Sequence, residues 1–217
     1  MAVQQYLMMG RAAAGRTIIT GERWAFGTNG YGQAGDGTTT AVSDPVQVGS
    51  LTDWQNTDSP SGTSWNLCTV KSDGTLWSWG RNNSGVLGLG DSTGRSSPTQ
   101  VGSDTDWKEA ATFSTSACAI KTDGTLWTWG ENNTGQLGLG DTTNTSSPAQ
   151  AGSDTDWAHV ISSNANNTMV MKTDGALYYA GAIGHTLANV STHTQVGSES
   201  GFVDAIARDG VYIMWKV

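Results

Sequence analysis

Charge is what this sequence has least of: only 14% of its 217 residues are Asp, Glu, Lys or Arg, well below the usual quarter of a globular chain. The eleven basic residues are scattered singly against nineteen acidic ones, for a formal charge of −8. No Lys/Arg cluster is available to neutralise phosphates, which argues against a nucleic-acid partner. Two cysteines cannot report a redox compartment. No apolar run approaches the length of a membrane-spanning helix. The opening residues from Met1 to Arg11 lack a basic segment followed by an apolar stretch, so neither a secretory leader nor a membrane partner is expected. Amphipathic helical periodicity is missing as well; Ala12 to Ala14 is too short to count.

What is abundant is glycine, with 29 residues, and tryptophan, with ten against three phenylalanines. The core is therefore expected to be built on indoles, under a surface of Ser, Thr, Asn, Gln and Gly. These residues recur in order. Lys71-Ser-Asp-Gly-Thr-Leu-Trp-Ser-Trp-Gly80 returns as Lys121-Thr-Asp-Gly-Thr-Leu-Trp-Thr-Trp-Gly130, and more loosely as Lys172-Thr-Asp-Gly-Ala-Leu-Tyr-Tyr-Ala-Gly181, at offsets of 50 and 51 residues. Thr20 to Gly27 fits the frame with Trp24 opposite Trp77, and Arg208 to Trp215 reads as a fifth copy through Asp209-Gly210. Between copies, Gly85 to Asp91 returns as Gly135 to Asp141, Ser97-Pro-Thr-Gln-Val-Gly102 returns as Ser147-Pro-Ala-Gln-Ala-Gly152, and an Asp-Trp pair appears at 53–54, 106–107 and 156–157.

Asp-Gly between short alternating runs signals a β-hairpin, because the tight turn needs positive φ. Cys68 to Lys71 and Cys118 to Lys121 read as the strand before the turn, and Leu76 to Trp79 as the strand after it. Pro98 and Pro148 suit linker or edge positions that need no ladder N–H. A lone hairpin is unstable in water, so such copies must pack on one another. The long period favours radial packing into blades over a linear solenoid or a sandwich. The expected fold class is all-β, a propeller occupying residues 20–217 behind an N-terminal arm of residues 1–19. The arm carries an apolar Tyr6-Leu-Met-Met9 patch suited to adding a strand or docking on a neighbouring subunit.

Asp-Gly-x-Leu-Trp-x-Trp-Gly-x-Asn-x-x-Gly-x-Leu-Gly-x-Gly-Asp followed by Ser-x-Pro-x-Gln-Val-Gly, as it stands in residues 73–102 and 123–152, resembles the regulator of chromosome condensation repeat. The resemblance implies a propeller of four-stranded blades, commonly seven, whereas five hairpin copies and four linkers occur here. A small closed ring, an open arc, or a ring completed by another subunit are the forms this count allows. The fourth repeat departs from the pattern, with Tyr179-Ala-Gly in place of the second Trp and Gly184-His-Thr-Leu in place of the glycine-rich turn. Nucleotide exchange on a small GTPase, which the family name suggests, depends on loops with no match here. A scaffold for protein–protein contact is what the family implies broadly.

No residue is singled out as catalytic, cofactor-binding or metal-binding, and no cofactor is expected. Cys68 and Cys118 occupy equivalent places in adjacent copies and read as small core residues. His159, His185 and His193 lack Cys or carboxylate partners at metal-ligand spacing. Asp91 and Asp141 read as turn caps in preference to calcium ligands, since one carboxylate per loop is a thin set. Asp73, Asp123 and Asp174 are explained by the turn repeat without acid–base chemistry. Non-repeating features are where recognition should lie: the arm and the insertions Ser59 to Trp65 and Asn164 to Asn167; in a glycan-binding reading, the aromatics Tyr31, Trp65 and Tyr178 are the candidates for stacking on sugar faces. The expectation is a non-enzymatic structural or assembly protein, such as a virion (phage) decoration, tail or fibre component, with virion proteins or further copies of itself as partners. The alternative is a recognition module for a protein or glycan, and an enzyme on a propeller frame comes last.

Overall fold

A computed structural model describes residues 20–55, 65–161, 167–182, 189–208 and 211–216. All seventeen regular elements among them are β-strands. The arm of residues 1–19, residues 59–64 of one insertion and 164–166 of the other, His185 and residues 209–210 lie outside the described residues.

The complete unit is a four-stranded antiparallel meander. Strands β8 (Trp107–Thr112), β9 (Ser116–Lys121), β10 (Leu126–Gly130) and β11 (Thr145–Gln150) follow one another across the sheet, as do β12 (Trp157–Ile161), β13 (Asn167–Lys172), β14 (Leu177–Gly181) and β15 (Val190–Gln195). Strands β5 (Asn66–Val70), β6 (Leu76–Gly80) and β7 (Arg95–Gln100) repeat the last three places. Trp54 of the short β4 (Trp54–Gln55) bridges to Lys71 and supplies the first. The register is the same each time: Trp77 faces Gln100, Trp127 faces Gln150 and Tyr178 faces Gln195. Pro98 and Pro148 fall in the fourth strands, at the sheet edge, where a missing N–H costs nothing.

Among the described residues two sheets have two strands each. Strands β2 (Trp24–Gly27) and β3 (Val42–Gln47) pair with each other and hold the third and fourth places, since Trp24 faces Gln47 as Trp77 faces Gln100. Strands β16 (Phe202–Arg208) and β17 (Val211–Lys216) also pair with each other. Phe202 opposes Lys216 as Trp107 opposes Lys121 and Trp157 opposes Lys172, so they hold the first and second places. The strands on either side of residues 209–210 pair as a hairpin, as the sequence suggests, but they hold the first and second places of the frame and not the second and third. Any two-residue hairpin accepts Asp-Gly; the residue that marks the frame is Lys216.

Neighbouring blades are joined by the Asp-Gly turn and the Asp-Trp pair of the next repeat. Trp107 N–H donates to Gly74 O (3.1 Å), Trp157 N–H to Gly124 O (3.2 Å) and Phe202 N–H to Gly175 O (3.2 Å). Strand β1 (Thr20–Gly21) meets β4 in the same way, Gly21 opposite Trp54. A Cβ on Gly124 would stand 2.0 Å from Thr155 O, and its φ of +80° independently disfavours any side chain. In the two repeats that have a second Trp it wedges between blades: Trp79 Nε1–H donates to Gln33 O (3.0 Å) and Trp129 Nε1–H to Val86 O (2.8 Å), both carbonyls in the preceding glycine-rich loop. Cys68, Val70 and Leu76 of one blade pack on Ala110, Ala117, Ala119 and Trp129 of the next.

Candidate functional site

The residues marked by the repeat are engaged in holding it. Asp73 caps its turn through Thr75 N–H (3.0 Å) and Thr75 Oγ1–H (2.6 Å), Asp123 does the same through Thr125, and Asp174 accepts from Ala176 N–H. The Thr75 hydroxyl above all, with Lys71 nearby, holds the Asp73 carboxyl below the usual range against the opposing effect of burial. Asp91 and Asp141 cap the glycine-rich loops by accepting from Thr93 and Thr143 N–H, and Asn82 and Asn132 pin each loop by donating to its carbonyls. Among the described residues no three His, Cys, Asp or Glu converge on a metal position. Cys68 and Cys118 are free and buried, and burial pushes the Cys118 thiol well up, away from thiolate chemistry.

Each repeat Lys sits in a cage. Lys121 Nζ reaches Asp104 (2.7 Å) and Asp106 (3.1 Å) and lies 4.9 Å from the rings of both Trp107 and Trp127. Lys172 repeats this with Asp154, Asp156, Trp157 and Tyr178. Burial opposes the charge, but the hydrogen bonds to paired carboxylates outweigh it and raise both amines above their ordinary value. Tyr178 is thus a cage wall packed edge-on to Trp157 at 5.2 Å, not an exposed recognition residue as its sequence suggests.

The eroded fourth repeat is repaired through space. Ala180 stands where Trp79 and Trp129 stand in the preceding repeats, and His193 from the adjacent strand β15 enters the vacated room beside Gly138 and stacks on Trp157 at 5.5 Å. Burial lowers the His193 pKa to about 4, so the ring is neutral at pH 7. Thr168 Oγ1–H takes over the loop carbonyl of Gln136 (2.6 Å). The remaining histidine of the described set, His159, meets the buried Glu109 at 3.2 Å. Sequence reasoning missed this pair, although both residues stand two places after the Asp-Trp indole in neighbouring repeats.

One group of chemistry-bearing side chains is left at the surface. Tyr31, from the first glycine-rich loop, and Trp65, just before β5, are 46% and 44% exposed with ring centroids 5.4 Å apart. Arg81, just after β6, places its guanidinium 4.6 Å from the Trp65 ring and 5.3 Å from Tyr31. None of the three types recurs at these places in the later repeats, where Ser84, Thr115 and Glu131 stand. Beside them opens a cleft of about 660 Å³ lined by Trp24, Phe26, Val48, Leu67 and Trp79. Tyr31 and Trp65 are thus where the sequence places candidate recognition residues. Arg81 was not singled out, because its role depends on the two rings converging on it.

Repeated four-stranded blades joined by turn-to-strand contacts and indole wedges define a β-propeller scaffold. Residues 73–119 and 123–170 match the family model of the regulator of chromosome condensation (RCC1) repeat, so the chain contains two repeats of that type. Solved propellers share the fold: human WBSCR16, with 18% identity and a TM-score of 0.71 over 86% of this chain and 51% of that one; and Prp20p from Saccharomyces cerevisiae, with 15% identity and a TM-score of 0.71 over 85% and 49%. Yeast RCC1 (Prp20) solved with Kap60 bound gives 17% identity and the same TM-score of 0.71 over 86% and 48%. The chain spans about half the length of these solved structures.

Proposed function

We propose that this chain is a non-enzymatic scaffold that binds a protein partner through the Tyr31–Trp65–Arg81 cluster. Tyr, Trp and Arg are the side chains that dominate protein–protein hot spots, because each offers a broad rigid face with a polar end. Here the three are stacked on one another in the partner-free chain, so little side-chain freedom remains to be lost on binding. They stand on a frame whose recurring Asp, Asn and Lys side chains are committed to turns, loops and cages. That placement is the observation that carries the reading. It is supported by what the similar structures are described as binding: Prp20p is characterised with Gsp1p and histones, and yeast RCC1 with Kap60, all of them proteins. No observation favours a virion component or a glycan ligand in particular.

The test is affinity capture from extracts of the source organism with wild-type chain and with the Trp65→Ala/Arg81→Glu variant, both checked for an unchanged unfolding midpoint. Proteins retained by the wild type and lost from the variant are the expected result. Equal retention by both would refute the assignment of the cluster.

A further inference from the structure

We propose that the notch between the blades β5–β7 and β8–β11 is a second binding site, which takes the arginine side chain of a protein partner. The notch has a volume of about 370 Å³, the lower end for small-ligand sites. It is lined by Leu89 of the second glycine-rich loop, Gln100 and Asp104 around the end of β7, the cage rings Trp107 and Trp127, and Pro148 of β11. Its walls thus combine apolar surface with one charged group, the Asp104 carboxylate, and none of its lining residues is basic. Asp104 gives Oδ2 to Lys121 at 2.7 Å, and its side chain is 52% exposed. Its Oδ1 has no hydrogen-bond partner among the described residues.

The repeat itself shows what such a place accepts, because the junctions on either side carry side chains of their own there. Between β2–β3 and β5–β7, Leu51 stands at the place of Asp104, three residues before the indole of the Asp-Trp pair. It packs against the cluster of Val48, Trp54 and Trp79. Between β8–β11 and β12–β15, His193 stands at the place of Pro148, two residues before the facing glutamine. Its ring stacks on Trp157 at 5.5 Å, and the carboxylate of Asp154, the counterpart of Asp104, is near enough to act on its charge. The junction with the notch has neither filler, since Asp104 stands in place of the leucine and Pro148 in place of the histidine. One filler is an aliphatic chain beside an indole, and the other is a ring near an Asp. An arginine side chain offers both, as an aliphatic stem and a planar cation.

Charge agrees with that choice. The cage shows that these rings accept a cation, with Lys121 Nζ 4.9 Å from both Trp107 and Trp127. Lys121 is shared between Asp104 and Asp106, so two carboxylates against one ammonium leave a negative charge at the mouth of the notch. A guanidinium stacked on Trp127 reaches Asp104 Oδ1 with its N–H fork, which the compact ammonium of a lysine does less well. The formal charge of −8 on the whole chain favours encounter with a basic partner surface. The notch shares no residue with the Tyr31–Trp65–Arg81 cluster, so binding at either can fail without the other.

The test is a titration of the full chain with acetyl-arginine-methylamide, followed by NMR of the assigned indole N–H signals. A saturable shift of Trp127 Nε1–H is expected with a Kd of about 10 mM, the scale of one side chain on one ring and one half-exposed carboxylate. Acetyl-citrulline-methylamide, which keeps the shape without the charge, should bind at least about fivefold more weakly, and so should the arginine probe to Asp104→Asn. Asp104→Leu copies the neighbouring junction and should abolish the Trp127 response, while an unmoved Trp129 signal reports that the blades still join. Shifts confined to the exposed Trp24 and Trp65, equal binding of the two probes, or an undiminished response in both Asp104 variants would overturn the proposal. So would the absence of any saturable response at Trp127, the result given by a notch that another part of the chain fills.

Discussion

The third blade, β8–β11, and the two-stranded sheet β2–β3 obey one sequence frame and end in opposite states. Trp129 has no exposed surface, whereas Phe26 at the same place is the most exposed large apolar residue described. Trp127 is walled by Trp107 and Lys121; Trp24 donates only to the exposed Glu22. The difference does not lie in the strands themselves, which hold the same register against their fourth-strand partners. It lies on the other side, where β8 and β9 stand beside β10 and no strand among the described residues stands beside β2. In a repeat protein, then, the burial of an aromatic residue belongs to the junction and not to the repeat that carries it.

Replacing the wedge should give the largest contrast. Trp129→Ala is expected to destabilise the chain by about 3–5 kcal/mol, from the lost indole volume and the unpaired Val86 carbonyl. Phe26→Ala, measured by urea unfolding at high dilution, should cost less than about 0.5 kcal/mol, as exposed substitutions do. Equal costs at the two sites would mean that β2 is already covered in the dilute chain, and the comparison would fail.

Next comes the turn that joins blades. Gly124→Ala combines a disfavoured φ with a side chain driven against the Thr155 carbonyl, and about 3 kcal/mol is expected. Gly21 lies at the matching contact with Trp54, with nothing within 4 Å of an added Cβ and no positive φ, so Gly21→Ala should be close to neutral. Thermal midpoints of the two variants make the comparison directly.

The repaired fourth blade sharpens the contrast through pH. His193 titrates near 4 in the folded chain against 6.5 when unfolded. Above pH 6.5 both states hold a neutral ring and the full stability is present. As pH falls from 6.5 to 4 the unfolded state takes the proton first, so stability falls, by about 3 kcal/mol in all. The cap carboxylates Asp73 and Asp123, whose values are lowered, lose their contributions only below their ordinary 3.8, in a separate window. His193→Gln should flatten the slope between pH 6.5 and 4 in urea titrations while leaving the more acidic one.

The parts of this architecture that the sequence made legible are those in which a residue acts on its own neighbours in the chain. Asp-Gly turns, strand alternation, edge prolines and the Asn and Asp of the glycine-rich loops all work within about a dozen residues, and each stands where the repeat places it. Contacts made between strands were harder to read. The exchange of Trp for Ala180 with compensation by His193 joins different strands, and the Glu109–His159 pair joins different blades. Asp209-Gly210 misled because a two-residue turn signal is too short to fix a frame, which required the pairing of Phe202 with Lys216. Of the recognition candidates, Tyr31 and Trp65 are exposed but Tyr178 is not, because the Lys172 cage that covers it is visible only once the first and third strands are brought together.

The smallest expected effect probes the cage itself. Lys121→Met keeps the aliphatic stem between Trp107 and Trp127 but removes the charge, and about 1 kcal/mol is expected, since the two carboxylates are half exposed and solvent screens their share. Part of that cost should vanish in 1 M salt, where charges a few ångströms apart are largely screened; the cation–ring part should remain. Lys216→Met, with one ring and one exposed Glu199 partner, should leave the stability of the dilute chain unchanged. If the two substitutions were equally costly under dilution, the stabilisation would come from the strand pair alone. The second ring would then add nothing.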